Sequence, residues 1–136
     1  MKIAVLGAGA GGTAVAFDCA AHEHDVRIFD FPSFPDNIAT NAEQQGIHAS
    51  GDLDGFAPIK SAGHDIDEAL QDAELIYVVG PAYSTTPFGQ AVAGKLRDGQ
   101  TVIVTPGSSG GALAFKQAAG LERADDAIRV AETSTR

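Results

Sequence analysis

The sequence contains one cysteine, no tryptophan, few basic residues and no long hydrophobic run. The single cysteine, Cys19, excludes an internal disulfide and a cysteine metal cluster, and we expect it to be a small apolar residue of the first helix. Nine lysines and arginines face 18 acidic residues, so the net charge of −9 argues against nucleic acid or an anionic membrane as a partner. No segment reaches the roughly 18 apolar residues of a membrane span, and no signal peptide precedes the first apolar run. We therefore expect a soluble cytoplasmic protein.

Histidine is also scarce, and its spacing predicts neither a metal site nor a catalytic centre. The four histidines are His22, His24, His48 and His64. None has the spacing of metal ligands or a paired catalytic acid, so we expect all four to be exposed or structural. No catalytic residue is predicted in this chain. Its 136 residues suit one domain, spanning residues 1–136, with a single sizeable core.

The first thirty residues have the pattern of a strand, a glycine turn, a helix and a second strand. An apolar run at 3–6 leads directly into the glycine-rich segment 7–12, and an alanine-rich segment follows at 13–21. A second apolar run at 26–29 ends on Asp30. This arrangement, with an acidic residue eighteen positions beyond the last glycine, is typical of a dinucleotide-binding βαβ unit.

Three glycines of this turn match the spacing G-x-G-x-x-G, and each is expected to have its own role. Gly7 allows a sharp turn after the strand. Gly9 allows the backbone to approach a pyrophosphate, and Gly12 allows the helix to pack closely on the sheet. The helix start then directs backbone N–H groups at the phosphates without any basic side chain. The predicted phosphate-binding residues are Gly7, Ala8, Gly9, Ala10, Gly11 and Gly12.

Asp30 and Phe31 are predicted to bind the adenosine end of the cofactor. The Asp30 carboxylate would accept hydrogen bonds from the ribose hydroxyls, which favours NAD. The 2′-phosphate of NADP would meet a fixed negative charge there, and residues 31–34 contain no lysine or arginine to offset it. NAD is therefore the expected cofactor, with NADP disfavoured.

The rest of the chain alternates strands with helices, which predicts a parallel sheet. Predicted helices cover 36–45 (closed by Gly46), 65–71, 86–96 and 112–119, and predicted strands cover 47–49, 75–79, 101–104 and 128–131. Residues 57–60 are expected to follow a turn at 51–55. The expected fold is a Rossmann-type, doubly wound α/β domain. Its six-stranded, mostly parallel sheet has the order 3-2-1-4-5-6 and helices on both faces.

Two further turns are expected near the nicotinamide end, because ligands of such sheets lie beyond the carboxyl ends of the strands. The first contains Gly80, Pro81 and Ala82, and the second contains Pro106 and Gly107. Each also has a plainer interpretation. The first turn could simply end a strand, and the second could simply start a helix.

With these residues placed, the chain resembles the N-terminal domain of the opine dehydrogenase family, which includes octopine and nopaline dehydrogenases. The similar stretches are MKIAVLGAG at 1–9 with glycines at 11–12, AELIYVVGPA at 73–82, DGQ at 98–100, PGSSGGAL at 106–113 and AETSTR at 131–136. They span nearly the whole chain. The stretch at 106–113 is the most specific of them.

This resemblance implies an oxidoreductase that reduces the imine formed between an amino acid and a 2-keto acid with NADH or NADPH. The family's catalytic histidine and its aspartate partner lie in a following helical domain, which has no counterpart in this chain. We therefore expect the isolated chain to bind NADH without turnover, and a homodimer is possible because an uncovered apolar face favours self-association.

Two alternatives remain open at this point. One is a free-standing regulatory module that senses NAD, although such a module has no evident use for the second glycine-rich turn at 106–111. The other is an enzyme similar to ketopantoate reductase, which shares the same type of first domain.

Overall fold

The computed structural model describes residues 1–33, 35–44, 46–49, 55–80, 85–97, 99–105, 111–120 and 128–132. The strands are β1 (Lys2–Leu6), β2 (Asp25–Phe29), β3 (Gly46–Ala49), β4 (Gly55–Pro58), β5 (Ser61–Gly63), β6 (Leu75–Val79), β7 (Thr101–Thr105) and β8 (Arg129–Glu132). The helices are α1 (Ala10–Ala21), α2 (Pro35–Gln44), α3 (Ile66–Leu70), α4 (Thr85–Val92) and α5 (Gly111–Ala118).

Six of these strands form one sheet in the order β5-β2-β1-β6-β7-β8, and every neighbouring pair is parallel. From β1 the chain first builds one side of the sheet with β2 and β5, and then crosses to the other side of β1 to add β6, β7 and β8. The switch point of this doubly wound sheet therefore lies between β1 and β6. The predicted Rossmann-type fold and its six-strand order are thereby confirmed.

One strand of the predicted sheet is a different segment from the one expected. The segment at 47–49 belongs to β3, which pairs antiparallel with β4 in a separate two-stranded sheet. The edge position beside β2 is taken by β5, with the sequence Ser-Ala-Gly. A three-residue edge strand bonded on one side needs no apolar run, so it gives no recognisable pattern. The prediction of 47–49 as the third strand of the main sheet is wrong for this reason.

Two helix boundaries also differ from expectation. Gly46, predicted to close α2, is instead the first residue of β3. A Cβ at Gly46 would overlap the Phe56 ring across the hairpin, so close cross-strand packing explains this glycine. Helix α4 ends at Val92 rather than near residue 96, and Gly94 follows with a φ of +75°. That left-handed conformation is a common way to end a helix.

The sheet is buried on both faces, as a doubly wound architecture requires. Along β1, Ala4 and Leu6 belong to the core under α3, α4 and α5, whereas Ile3 and Val5 belong to the core under α1 and α2. All four are at most 3% exposed. The central strand therefore contributes side chains to two separate hydrophobic cores, one on each face of the sheet.

Cys19 lies on α1, half-buried against the second of these cores. Burial, and secondly the neighbouring Asp18 carboxylate, raises the pKa of the Cys19 thiol. A raised pKa lowers the fraction of reactive thiolate, which agrees with the packing role expected from the sequence. In the part of the chain described above, no cluster of histidine, cysteine and acidic residues could hold a metal ion. In that same part, none of the helices combines the length and apolarity needed to span a bilayer.

Candidate dinucleotide-binding site

The candidate site lies where β1, β2 and β6 end, beside the switch point of the sheet. Gly7 follows β1, Asp30 follows β2 and Gly80 follows β6. Because these strands are parallel neighbours, their carboxyl ends meet at one edge of the sheet. Crevices at this edge are where doubly wound sheets bind their ligands.

Gly7 makes the sharp turn that its position in the sequence predicts. Its φ is +114°, a conformation that strains any residue with a side chain, and its N–H donates to the Phe29 carbonyl at 2.7 Å. A Cβ on Gly7 would also overlap the Val79 carbonyl oxygen of β6. The turn thus lies tightly between the ends of two neighbouring strands.

Gly12 and Gly9 are glycines for different reasons. A Cβ on Gly12 would overlap the carbonyl oxygen of Gly7, so the first turn of α1 packs directly on the loop before it. A Cβ on Gly9, by contrast, would meet nothing within 4 Å, and its φ of −71° suits any residue. Packing within the chain therefore explains Gly12 but does not explain Gly9. An external group that approaches the backbone would explain it.

The amino end of α1 presents backbone N–H groups with no side-chain competitor. Gly9 is the N-cap, no side chain caps the helix, and no acidic residue occupies the first turn. The orphan N–H groups and the helix dipole together favour an anion at this position. The hydroxyl of Thr13 donates to the Ala8 carbonyl at 3.1 Å and holds the loop against the helix. These features fit a pyrophosphate bound by main-chain groups.

Asp30 connects the end of β2 to the glycine-rich loop. Its side chain is only 5% exposed, and one carboxylate oxygen accepts the Ala8 N–H at 2.9 Å. The other oxygen accepts the N–H of Phe31 at 2.8 Å. These bonds hold the carboxylate at the end of β2 beside the glycine-rich loop, where dinucleotide-binding sheets place their ribose-binding acidic residue.

Phe31 belongs to a group of three aromatic rings beneath the loop. Its ring stacks on Phe88 of α4 with centroids 4.9 Å apart, and Phe29 meets it edge-on at 5.4 Å. A Cβ on Gly7 would lie 3.6 Å from the Phe88 ring, so this group lies close to the turn. Phe88 was not among the predicted site residues, because only the packing of α4 brings it here.

His64 was likewise not predicted to be near the site. It follows β5 directly, and its Nδ1 lies 2.8 Å from the Asp30 carbonyl oxygen. Recognising residues 61–63 as the edge strand would have placed His64 beside Asp30, since Phe29 pairs with Gly63. His64 was therefore missed because the sequence pattern did not indicate the strand that precedes it.

Of the residues predicted to lie at the nicotinamide end, the structure describes Gly80. The N–H of Gly80 lies 3.4 Å from the Thr105 carbonyl, and Val79 pairs with Thr105 in the sheet. The two turns therefore start side by side. Pro81, Ala82, Pro106 and Gly107 lie outside the described residues, and of Ala10 only the backbone position at the start of α1 is described.

A family model of the NAD-dependent glycerol-3-phosphate dehydrogenase N-terminus matches residues 2–118. The chain belongs to this family. It is an NAD-binding domain of the dehydrogenase type, and the cofactor expected from the sequence is confirmed. The matched residues include the glycine-rich loop, Asp30 and the strands on both sides of the switch point.

Within this N-terminal dehydrogenase family, the expected resemblance to opine dehydrogenases is confirmed as well. The opine dehydrogenase of Arthrobacter sp. (strain 1C) is 32% identical over 133 residues, which are 97% of this chain and 36% of that protein. The chain thus spans about a third of the length of this relative.

Solved structures with the same fold include octopine dehydrogenase with NADH and pyruvate. Its TM-score is 0.80 at 17% identity, covering 96% of this chain and 35% of that protein. The PanE/ApbA family ketopantoate reductase of Ralstonia eutropha JMP134 has a TM-score of 0.73 at 21% identity, covering 96% of this chain and 40% of that protein. Both similarities establish the shared fold.

Proposed function

We propose that this chain is the cofactor-binding part of an enzyme that reduces the imine between an amino acid and a 2-keto acid. The identity with opine dehydrogenase over 97% of the chain supports this chemistry. NAD(H), when bound, supplies the hydride. The ketopantoate reductase alternative is supported by the fold alone, so imine reduction is the preferred assignment.

In this proposal the chain's residues bind and orient the cofactor, in three groups along its length. The loop 7–12 holds the pyrophosphate, Asp30 and Phe31 hold the adenosine, and Gly80, Pro81, Ala82, Pro106 and Gly107 lie along the nicotinamide. The groups that bind the amino acid and move its proton belong to a second, helical domain beyond this chain. A homodimer and a cytoplasmic location are also part of the proposal.

The structural observation that carries the cofactor-binding part of the proposal is the open backbone at Gly9. No contact within the chain requires Gly9 to lack a Cβ, and no side chain caps the helix that starts directly after it. A bound pyrophosphate accounts for both features at once.

The test is to substitute Gly9→Ala and titrate the chain with NADH, following cofactor fluorescence. We expect an affinity loss of at least about tenfold, or 1.4 kcal/mol. The melting temperature should fall only slightly, through the preference of an N-cap for glycine over alanine, because the new methyl group meets no atom of the chain. Gly12→Ala is the contrasting variant, and it should lower the melting temperature because its Cβ overlaps the Gly7 carbonyl. Unchanged NADH affinity in Gly9→Ala contradicts the proposed approach of the pyrophosphate.

A regulatory NAD sensor would also bind NADH, so a separate measurement distinguishes it. The mass of the natural gene product tells whether the protein continues beyond residue 136. A continuation of roughly the length seen in opine dehydrogenase, with NADH-dependent reduction of an amino acid and 2-keto acid mixture, supports the enzyme. A natural product of 136 residues without such turnover favours the sensor.

A further inference from the structure

The His64 ring bonds to the main chain of the proposed ribose-binding residue. Its Nδ1 lies 2.8 Å from the carbonyl oxygen of Asp30. A carbonyl oxygen can only accept a hydrogen bond, so the proton must be on Nδ1 of His64. This requirement defines the tautomer of the neutral ring, and it identifies Nδ1 as the working atom of this side chain.

Gly63, the last residue of β5, and His64, which follows it, bond to the two ends of the Asp30 main chain. The Asp30 N–H donates to the Gly63 carbonyl at 3.3 Å, a long bond, while its carbonyl accepts from His64 at 2.8 Å. Its carboxylate meanwhile accepts the Ala8 N–H at 2.9 Å. The orientation of the Asp30 carboxylate therefore depends on the position of the Asp30 main chain, which the hydrogen bond from His64 helps to fix.

We propose that His64 is a positioning residue for the adenosine ribose, acting through Asp30. This inference rests on the proposed role of Asp30 in cofactor binding. Positioning matters here because the carboxylate must keep its bond to the glycine-rich loop and also meet the ribose hydroxyls. Residues that hold a binding group from behind affect its function through geometry alone.

The positioning role gives a signature in cofactor choice. A well-held Asp30 carboxylate binds the ribose hydroxyls of NADH and opposes the 2′-phosphate of NADPH. Loosening Asp30 weakens NADH binding but also allows the carboxylate to move away from the phosphate of NADPH. The ratio of the two affinities should therefore fall. A general loss of folding would lower both affinities together and leave the ratio unchanged.

Three substitutions test whether the hydrogen-bond donor must lie at the position of the His64 Nδ1 atom. His64→Asn places an amide N–H close to the position of Nδ1, whereas His64→Gln moves its amide one bond further out, and His64→Ala removes the donor. The readout is the dissociation constant of the full chain for NADH and for NADPH, from fluorescence titration. We expect Ala and Gln to weaken NADH binding about fivefold to tenfold, the effect of one hydrogen bond. NADPH binding should change less than twofold, and Asn should retain both constants.

His22→Ala is the matched control for these variants. The His22 Nδ1 also bonds to a main-chain carbonyl, that of Asp18 at 2.7 Å, but at the far end of α1. We expect this variant to retain the affinities and the ratio of the natural sequence.

The proposal is overturned if the Ala and Gln variants keep the natural ratio, or if Asn behaves like Ala. Should Ala fail to fold, the comparison of Asn with Gln still decides the question. A natural chain that does not bind NADH overturns the cofactor proposal and this inference together. A natural chain that binds NADH with all His64 variants unaffected overturns only the role of His64.

Discussion

At the scale of single residues, the candidate site contains one carboxylate and several glycines, and the structural reason for a glycine differs from one position to the next. Gly7 and Gly12 are required by contacts inside the chain, whereas Gly9 is not. Asp30 joins the loop to β2 through its bond with the Ala8 N–H. Under the proposed ribose contact, the same side chain serves both the loop geometry and cofactor binding, so its removal should have two effects at once.

We predict that Asp30→Ala weakens NADH binding by about 1.5–3 kcal/mol, the range for hydrogen bonds to a charged group. The preference for NADH over NADPH should narrow as well, because the charge opposing the 2′-phosphate is gone. Titration with each cofactor measures both effects. Asp25→Ala, at the exposed start of the same strand, is the control. An unchanged NADH to NADPH ratio in Asp30→Ala would remove this residue from its proposed role.

At the scale of elements, predictability from the sequence follows the strength of the local pattern. The runs that became β1, β6 and β7 are apolar because both faces of the sheet are covered, so they could be recognised directly. The helix predicted at 65–71 is present as α3, and the carboxylate of its N-cap, Asp65, accepts the N–H groups of Asp67 and Glu68.

The elements that were missed depend on contacts that no local pattern records. Strand β5 is three small residues paired with β2, and β3 pairs with β4 rather than with the main sheet. The same limit applies to the site. The loop 7–12 and Asp30 could be proposed as site residues from their spacing, whereas the positions of His64 and Phe88 beside them depend on the packing of β5 and α4.

Gly89 lies at one such packing contact, where α4 meets α5. It lies inside a helix, where glycine costs about 1 kcal/mol relative to alanine. A Cβ on Gly89 would lie 2.7 Å from the Ala118 Cβ and 3.0 Å from the Phe115 carbonyl oxygen. The two helices therefore approach closely, and they share the core in which Phe88 and Phe115 are buried.

We predict that Gly89→Ala lowers the free energy of unfolding by up to about 2 kcal/mol. Overpacking costs about 1–3 kcal/mol, and the gain in helix propensity offsets part of it. Ala118→Gly removes the nearest opposing atom, so Gly89→Ala should cost less in that background. Urea unfolding of the two single variants and the double variant gives the coupling energy. Purely additive effects would contradict the close contact.

At the scale of the whole molecule, an acidic chain binds a negatively charged cofactor. The net charge is −9, and the two basic side chains of the first thirty residues, those of Lys2 and Arg27, contact other groups. Lys2 pairs with Asp72 at 3.7 Å, and Arg27 donates to the Gln71 carbonyl. Both partners precede β6, whereas the glycine-rich loop follows β1 at the opposite edge of the sheet. The pyrophosphate would thus be held by main-chain dipoles against the overall field of the protein.

This charge distribution predicts an unusual salt dependence. A site built from lysines and arginines loses affinity as salt screens the attraction, but here the long-range interaction with the cofactor is repulsive. Raising the salt from about 0.1 M to about 1 M shortens the Debye length from about 10 Å to about 3 Å, which screens the repulsion and leaves the short-range dipole contacts intact. NADH affinity should therefore stay constant within about twofold or increase, measured by titration in two salts with different anions. A tenfold loss in both salts would mean that basic side chains, not the backbone at Gly9 and the start of α1, hold the pyrophosphate.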